Sequence, residues 1–279
     1  MKFGLGLGGV NAHFFEAVAM AGDTAGYESV WLPEHLVLPV HMTSSPFAGE
    51  EHPPVPPTTP VYDAFAYLSF LAGRTERIRL GTHVYNLGLR HPFVAARAVA
   101  TLDIVSGGRA VVGLGASWLR QEWEAVGLDF STRGRRMNEA LEVCNRLWTE
   151  SEVEHHGEFF SFAPVMFEPK PVQQPRPPIL IGGESDAALR RAARLGDGWI
   201  GMGHTYESAA APIAKLRGWW AEADRSGAPE IVIGGRVESR DDVARWEDVG
   251  VTRMIVIPWA RSREALDGLA RFADLVGIG

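Results

Sequence analysis

The chain of 279 residues lacks several features that would point directly to a function. It has one cysteine, Cys144, which excludes an internal disulfide and a thiolate metal cluster. It has no excess of positive charge, since the formal net charge is −7, and this argues against a nucleic-acid surface or a basic membrane-binding face. No apolar run reaches membrane-spanning length, and Met1 leads into a strand-like segment without a signal-peptide pattern. We therefore expect a cytoplasmic protein without nucleic-acid or membrane partners.

Common catalytic motifs are also missing. There is no Walker lysine and no nucleophile elbow, and the glycines of residues 113–115 lack the Rossmann spacing. A metal site would require His35, His83 and His204 to converge, and acidic ligands are sparse at the strand ends. We expect no metal ligand, although a metal-dependent barrel lyase or hydrolase remains an alternative.

Short apolar segments alternate with helical stripes along the chain. This pattern predicts eight strands that alternate with helices, with no strand pair joined by a hairpin turn. Such a pattern favours an α/β fold of the closed (β/α)8 TIM-barrel type over an open doubly wound sheet. Eight of the 18 prolines lie between Pro33 and Pro60 and predict a long loop. Six more lie in residues 150–178, which we interpret as an insertion after strand four, within a single domain spanning residues 1–279.

Residues 177–202 form the most informative stretch, a βαβ unit with a two-glycine turn. Residues 179–181 are a short apolar run, and Gly182 and Gly183 close it. Residues 184–186, with the sequence Glu-Ser-Asp, are good helix N-caps. Bare backbone amides at such a turn, with the helix dipole behind them, suit a phosphate. A tight turn that simply needs glycine is the alternative.

Function in such a barrel collects at the C-terminal ends of the strands. Glu34 and His35 follow the second strand, where the long loop begins. Imidazole titrates near neutrality and a neighbouring carboxylate tunes it, so this pair is a candidate for proton transfer. A loop histidine that only orders backbone is the alternative. Trp118 and Trp259 at other strand ends suggest a slot for a flat ring, or else simply pack loops onto the barrel rim.

Several motifs together resemble the luciferase-like flavin-dependent monooxygenase family, most closely its deazaflavin branch, the oxidoreductases that use coenzyme F420. The motifs are LGTHV at 80–84, LRHP at 89–92, TLD at 101–103, SGGR at 106–109, GLGASW at 113–118 with Glu122, and ILIGG at 179–183 with AARLGDGW at 192–199. They cover nearly the whole chain in order. Members of this family are (β/α)8 barrels with an insertion after strand four.

The resemblance implies an oxidoreductase that transfers hydride between coenzyme F420 and a small organic substrate. It places His35 and Glu34 as catalytic residues beside the reactive ring edge, and a cis peptide between His83 and Val84 under the ring. The implied cofactor-binding residues are Glu34, Thr82, His83, Val84, Asn86, Ser117, Trp118, Gln121, Gly182, Gly183 and Glu184. We also expect a small-molecule substrate and a homodimer.

The same resemblance leaves alternatives open. An FMN-dependent monooxygenase of the family is one, and a cofactor-binding protein without turnover is another. The chain departs from the related sugar-phosphate dehydrogenases, since Trp118 stands where they have a catalytic glutamate and Pro39 where they have a tryptophan. We do not expect that specific activity.

Overall fold

The computed structural model describes residues 1–42, 45 and 55–278, in which strands and helices alternate. The strands are β1 (Lys2–Gly6), β2 (Ser29–Leu32), β3 (Arg79–Thr82), β4 (Tyr85–Asn86), β5 (Ala110–Gly115), β6 (Val153–His156), β7 (Ser161–Val165), β8 (Ile179–Gly182), β9 (Gly198–Gly203), β10 (Glu230–Gly234) and β11 (Arg253–Val256). The helices are α1 (Phe15–Ala25), α2 (Ala64–Ala72), α3 (Pro92–Val105), α4 (Arg120–Ala125), α5 (Arg133–Thr149), α6 (Asp186–Leu195), α7 (Tyr206–Glu222), α8 (Arg240–Val249) and α9 (Ala265–Val276).

The parallel strands close into a barrel. Over the described residues, the main sheet has nine strands in the order β3-β2-β1-β11-β10-β9-β8-β5-β4, and an additional β3–β5 pairing joins its ends. Leu80 lies opposite Ala110 across that seam. Since β4 continues β3 along the same neighbour β5, these nine strands occupy eight barrel positions. The predicted (β/α)8 barrel is confirmed.

The third barrel strand is broken, where the sequence predicts one continuous strand over residues 78–84. β3 ends at Thr82, β4 begins at Tyr85, and the peptide between His83 and Val84 is cis, as predicted. Val84 packs against the apolar cluster inside the barrel. An added Cβ at Gly115 would lie 2.6 Å from one methyl group of Val84, and one at Gly182 would lie 2.9 Å from the other. Both glycines are therefore required by this side chain.

The segment predicted as an insertion contains an antiparallel hairpin of β6 and β7. This corrects the expectation that no strand pair is joined by a hairpin turn. The amide of Gly157 donates to the carbonyl oxygen of Phe160 at 2.9 Å, and the Glu139 carboxylate of α5 accepts from the amides of Phe159 and Phe160. β6 buries a histidine, His155, at an inward position. Its alternation is therefore invisible to a search for apolar residues at every second position.

The apolar core has two layers. One lies inside the barrel and is formed by Trp31, Val111, Leu180, Ile200, Val232 and Ile255. The other lies between the strands and the surrounding helices and includes the buried Cys144. Among the helices described, none is long and apolar enough to cross a membrane. Since both layers are apolar and closely packed, we expect the candidate site in the loops at the C-terminal ends of the strands.

Candidate active site at the mouth of the barrel

A cavity of about 950 Å³ opens at the C-terminal ends of β1, β2, β9, β10 and β11. Its volume lies within the usual range for small-molecule and cofactor sites, about 300–1,000 Å³. Gly8 and Pro33 line one side, and Trp246 and Trp259 contribute aromatic surface. Arg236 brings a cationic side chain. The mouth of the barrel therefore offers a largely apolar site with a few polar groups.

Sequence reasoning located only part of this cavity. His83 is the one predicted cofactor-binding residue among the described residues that line it. Trp259 also lines it and donates through Nε1 to the carbonyl oxygen of Gly9 at 2.9 Å. Trp118 does not, so the two tryptophans do not share this wall. Tyr206 and Trp246 were missed because they lie on helices, where an aromatic side chain is normally interpreted as packing.

His83 is an uncharged polar group at the edge of the cavity near neutral pH. Burial lowers the pKa of His83 to about 4, although a hydrogen bond to the backbone of Gly201 and the charge of Glu184 oppose the shift. The ring therefore offers hydrogen bonding without charge at pH 7.

Glu34 is anchored inside the protein. It is 3% exposed, and its carboxylate accepts from the Arg90 guanidinium and, at 3.2 Å, from the amide of Asn86. The Asn86 side chain donates to the carbonyl oxygen of Glu34 at 3.4 Å. Thr82 is similarly occupied, because its hydroxyl donates to the carbonyl oxygen of Gly113 at 2.7 Å. These side chains brace the barrel wall, and direct contact between them and a cofactor stays a prediction.

His35 has a carboxylate neighbour, but that neighbour is Glu122. His35 Nδ1 lies 3.2 Å from Glu122 Oε2, whereas the Glu34 carboxylate is held by Arg90. The carboxylate beside the His35 ring is therefore that of Glu122, whereas the sequence pattern paired the ring with Glu34; the catalytic roles of Glu34 and His35 stay predictions. The sequence motif included Glu122 without a role, because adjacency along the chain is a poor guide to which carboxylate reaches a ring.

The predicted residues that follow β5, the fourth strand of the barrel, surround His35. Trp118 stands edge-on to the His35 ring, with centroids 5.8 Å apart and an interplanar angle of 90°. Ser117 has φ of +67° and its hydroxyl lies 3.4 Å from Glu122 Oε2. Gln121 donates to the carbonyl oxygen of His41 at 3.5 Å, in the loop that follows His35. The structure therefore brings the segments that follow β2 and β5 together around the imidazole of His35.

The turn after β8 has the geometry that the sequence predicts. Gly183 has φ of +109°, and its carbonyl oxygen accepts from Trp199 Nε1 at 2.9 Å. Ser185 caps α6 by accepting from the amide of Ala188. The backbone amides of residues 184–187 have no acceptor within the described part of the chain. Since a trans peptide directs C=O and N–H to opposite sides, the Glu184 amide points away from Trp199.

Acidic side chains at this turn already have partners. The Glu184 carboxylate accepts from the amide of Met202 at 2.8 Å and contacts His204 Nε2 at 2.9 Å. Asp186 accepts from Lys215 Nζ at 2.7 Å. Their negative charge is therefore partly balanced beside the free amides.

The three histidines considered for a metal site have different neighbours. His35 contacts Glu122, His83 bonds to the backbone of Gly201, and His204 contacts Glu184. In residues 1–42, 45 and 55–278, no group of three or more histidine, cysteine, aspartate or glutamate side chains is placed to hold a metal ion.

Comparison with known proteins agrees with the barrel fold. The family model of luciferase-like monooxygenases matches residues 3–273. The chain belongs to this family. An uncharacterised Mycobacterium tuberculosis protein is 34% identical over 245 residues, which is 87% of this chain and 84% of the relative. Membership establishes an oxidoreductase or monooxygenase class for the luciferase-like barrel described here.

Two further matches carry functional names. The FMNH2-dependent dimethylsulfone monooxygenase of Pseudomonas putida is 34% identical over 175 residues, or 61% of this chain and 47% of that enzyme. The solved structure of an F420-dependent secondary alcohol dehydrogenase, in complex with an F420-acetone adduct, superposes with a TM-score of 0.80. That match covers 99% of this chain and 98% of the other at 15% identity, and it shows a shared fold.

Proposed function

We propose that this luciferase-like protein is an oxidoreductase that transfers hydride between coenzyme F420 and a small organic substrate. One observation carries the proposal. The cavity of about 950 Å³ and the glycine turn after β8 lie at the same end of the barrel, and His204, which lines the cavity, contacts Glu184 in the turn, with 2.9 Å between Nε2 and Oε2. A cavity for a ring beside a turn for an anion suits a phosphate-bearing flavin-like cofactor.

The turn fits a phosphate on its own chemistry. Residues 184–187 present backbone amides without acceptors at the start of α6, and the helix dipole adds positive potential there. Gly183 adopts a φ that disfavours other residues, and an added Cβ would lie 3.0 Å from the Cβ of Ala188. We therefore assign the cofactor phosphate to Gly182, Gly183 and the amide of Glu184.

The mouth of the barrel also fits a flat ring. Gly203 lines the cavity, and an added Cβ there would meet no atom within 4 Å, so the space beside it is open. Trp246 and Trp259 supply apolar walls, and His83 supplies an uncharged polar edge. We propose that the ring rests over the peptide of His83 and Val84, with the substrate in the remainder of the cavity.

When bound, the deazaflavin supplies the two-electron redox chemistry, and the protein supplies binding, orientation and proton transfer. We assign the proton-transfer role to His35, which follows β2 at the same end of the barrel as the cavity. Its side chain is 16% exposed, and it is not among the residues that line the cavity. Glu34 fixes the backbone just before His35 through its bonds to Arg90 and Asn86. Trp118 and Gln121 hold the neighbouring loop segments around the ring edge.

An FMN-dependent monooxygenase is the second candidate. The 34% identity to the Pseudomonas putida FMNH2-dependent enzyme favours it. Both candidates use the same phosphate turn and the same ring space, so the fold does not separate them. The cofactor that binds does.

The deciding experiment titrates purified protein with F420 and, separately, with FMN, following the spectrum of each chromophore. Tighter binding of F420, and its reduction or oxidation with a panel of small alcohols and carbonyl compounds, supports the first candidate. Tighter binding of reduced FMN with oxygen consumption supports the second. Failure of both to bind would contradict the assignment of the phosphate turn.

We also propose that the protein is a cytoplasmic homodimer that acts on a small molecule. Light scattering of the purified protein tests the assembly, because a dimer has twice the chain mass of 30.5 kDa. A measured mass equal to one chain at working concentration would contradict the dimer.

A further inference from the structure

We propose that Glu122 is a positioning residue that determines which ring nitrogen of His35 carries the proton. In this arrangement Nδ1–H is donated to Glu122, and Nε2 is left to take up and release the proton of the reaction. The inference rests on the proposed proton-transfer role of His35 and extends it to a residue that touches neither cofactor nor substrate.

Glu122 is a fully buried acid, with 0% of its surface exposed, in the first turn of α4. Its Oε1 accepts from the amide of Leu36 at 2.6 Å. Its Oε2 lies 3.2 Å from His35 Nδ1 and 3.4 Å from Ser117 Oγ. An ionised carboxylate in such a place is very costly unless it is hydrogen-bonded, and these three donors provide the bonds.

The donors have fixed directions. An ionised carboxylate can only accept, so the nitrogen of His35 that faces it must carry hydrogen. The Ser117 hydroxyl accepts from the amide of Leu119 at 3.2 Å, which directs its own hydrogen toward Glu122. Ser117 holds φ of +67°, an uncommon conformation for a residue other than glycine. The turn after β5 therefore places the Ser117 hydroxyl as the third hydrogen-bond donor to the Glu122 carboxylate.

The second nitrogen of His35 is the available one. Within the described residues, Nε2 has no hydrogen-bond partner, and the Trp118 ring packs edge-on against the imidazole. A neutral histidine carries hydrogen on one ring nitrogen alone. If Nδ1 carries it, Nε2 presents a lone pair, which is the state a general base needs.

A purely structural role for Glu122 is the competing explanation, because it also joins the loop after β2 to the turn after β5. Glu122→Gln separates the two roles. A glutamine can still accept from the Leu36 amide through Oε1, so the loops stay joined. Its amide group, however, donates toward His35 Nδ1, and this forces the ring hydrogen onto Nε2.

The primary test is nuclear magnetic resonance of protein labelled with ¹⁵N only in histidine, without cofactor. Spectra are recorded at about pH 9, above the ordinary imidazole pKa of about 6.5. The His35 signals are assigned by their loss in His35→Ala. We expect Nδ1 to be protonated in the wild type and Nε2 in Glu122→Gln. Protonation of Nε2 in the wild type, or an unchanged pattern in Glu122→Gln, would overturn the inference.

Glu124→Gln is the matched control. Glu124 lies on the same short helix with 58% of its side chain exposed, and its nearest cation, Arg120, is 3.9 Å away. We expect the His35 spectrum to stay that of the wild type in this variant. If Glu122→Gln fails to fold, Glu122→Asp retains the charge and withdraws it from the ring, and the wild-type spectrum still decides the tautomer.

Kinetics give the second readout once a substrate is known. An inverted tautomer of a catalytic histidine lowers kcat by up to about 10⁴-fold in serine proteases. We expect Glu122→Gln to lower kcat by at least about tenfold, to leave cofactor affinity unchanged, and to add nothing to the loss in His35→Ala. A normal kcat in Glu122→Gln, with the ring hydrogen of His35 shown to lie on Nε2, would overturn the inference that the tautomer matters for catalysis. Lack of cofactor binding or turnover in the wild type would instead refute the proposed function, and the tautomer result would stand.

Discussion

Arg90 holds the carboxylate of Glu34 in a buried ion pair. Its Nη1 lies 3.0 Å from Oε2, its Nη2 pairs with Oε1, and the two side chains are 10% and 0% exposed. Burial opposes the charge of Arg90, but the hydrogen bonds and the charge of Glu34 outweigh it, so the pKa of Arg90 is raised. This pair fixes the chain immediately before His35.

The first prediction concerns the stability that depends on this pair. Glu34→Ala leaves a buried guanidinium without its partner, and we expect the free energy of unfolding to fall by about 3–5 kcal/mol. Adding Arg90→Met should restore part of that loss, because no unpaired charge then remains. Urea denaturation measures both. As a control, Glu16→Ala removes an exposed partner of Arg74 and should cost less than about 1 kcal/mol. Equal losses at the two sites would refute the argument.

The fold was predictable from sequence because its signals are local. Strand β2 and the turn at Gly182 and Gly183 follow from short apolar runs that end at prolines or glycines. The hairpin of β6 and β7 was not predictable, because a histidine takes an inward position that apolar periodicity reserves for aliphatic residues. The cis peptide between His83 and Val84 was predicted from the family resemblance, since no local preference indicates it.

The site was less predictable, because its pairs are long-range. Glu34 and His35 are adjacent in sequence, yet their partners, Arg90 and Glu122, lie 56 and 87 residues away. A buried acid such as Glu122 is indistinguishable in sequence from the exposed Glu124 two positions later. Strand-end position selects the neighbourhood, and tertiary packing decides which groups meet there.

The second prediction tests the phosphate turn. Gly183→Asp places a carboxylate and a Cβ at a position with φ of +109°, beside the amides of residues 184–187. We expect cofactor affinity to weaken by well over tenfold, which corresponds to more than about 1.4 kcal/mol. The measurement is a cofactor titration by absorbance or fluorescence.

Gly218→Asp supplies the control for this change. Gly218 lies on α7, and an added Cβ there would meet no atom within 4 Å. This variant adds the same charge without altering the turn, so its affinity should match that of the wild type. A folded Gly183→Asp protein with unchanged affinity would remove the turn from the cofactor site.

The third prediction concerns acid stability. His83 binds its proton only near pH 4 in the folded protein, because burial lowers its pKa, whereas an unfolded histidine binds it near pH 6.5. The unfolded state therefore takes up the proton first, and stability is lost as the pH falls from about 6.5 toward 4. At pH 5 the folded protein has lost about 1–2 kcal/mol of its free energy of unfolding through this histidine. We expect His83→Gln to lose less stability than the wild type between pH 7.5 and pH 5.0, measured by urea denaturation without cofactor. Identical losses of stability in the wild type and in His83→Gln would contradict a lowered pKa of His83 in the folded protein.

The last prediction concerns Trp118, which the family resemblance places where related sugar-phosphate dehydrogenases carry a catalytic glutamate. Its ring is edge-on to His35 at 5.8 Å and does not line the cavity, so it supports the imidazole and has no group that can supply a proton. An aromatic pair of this kind contributes about 0.5–1.5 kcal/mol, so Trp118→Ala should slow turnover by about two- to tenfold, well short of the loss of a general acid or base. Trp118→Phe keeps an aromatic edge and should be milder still, while Trp118→Glu should alter the substrate range. Steady-state kinetics over pH measure all three, with Trp219→Phe, whose ring packs against Arg190 on α6, as the control. A large, pH-dependent loss of activity in Trp118→Phe would show that the indole takes part in proton transfer, contrary to this assignment.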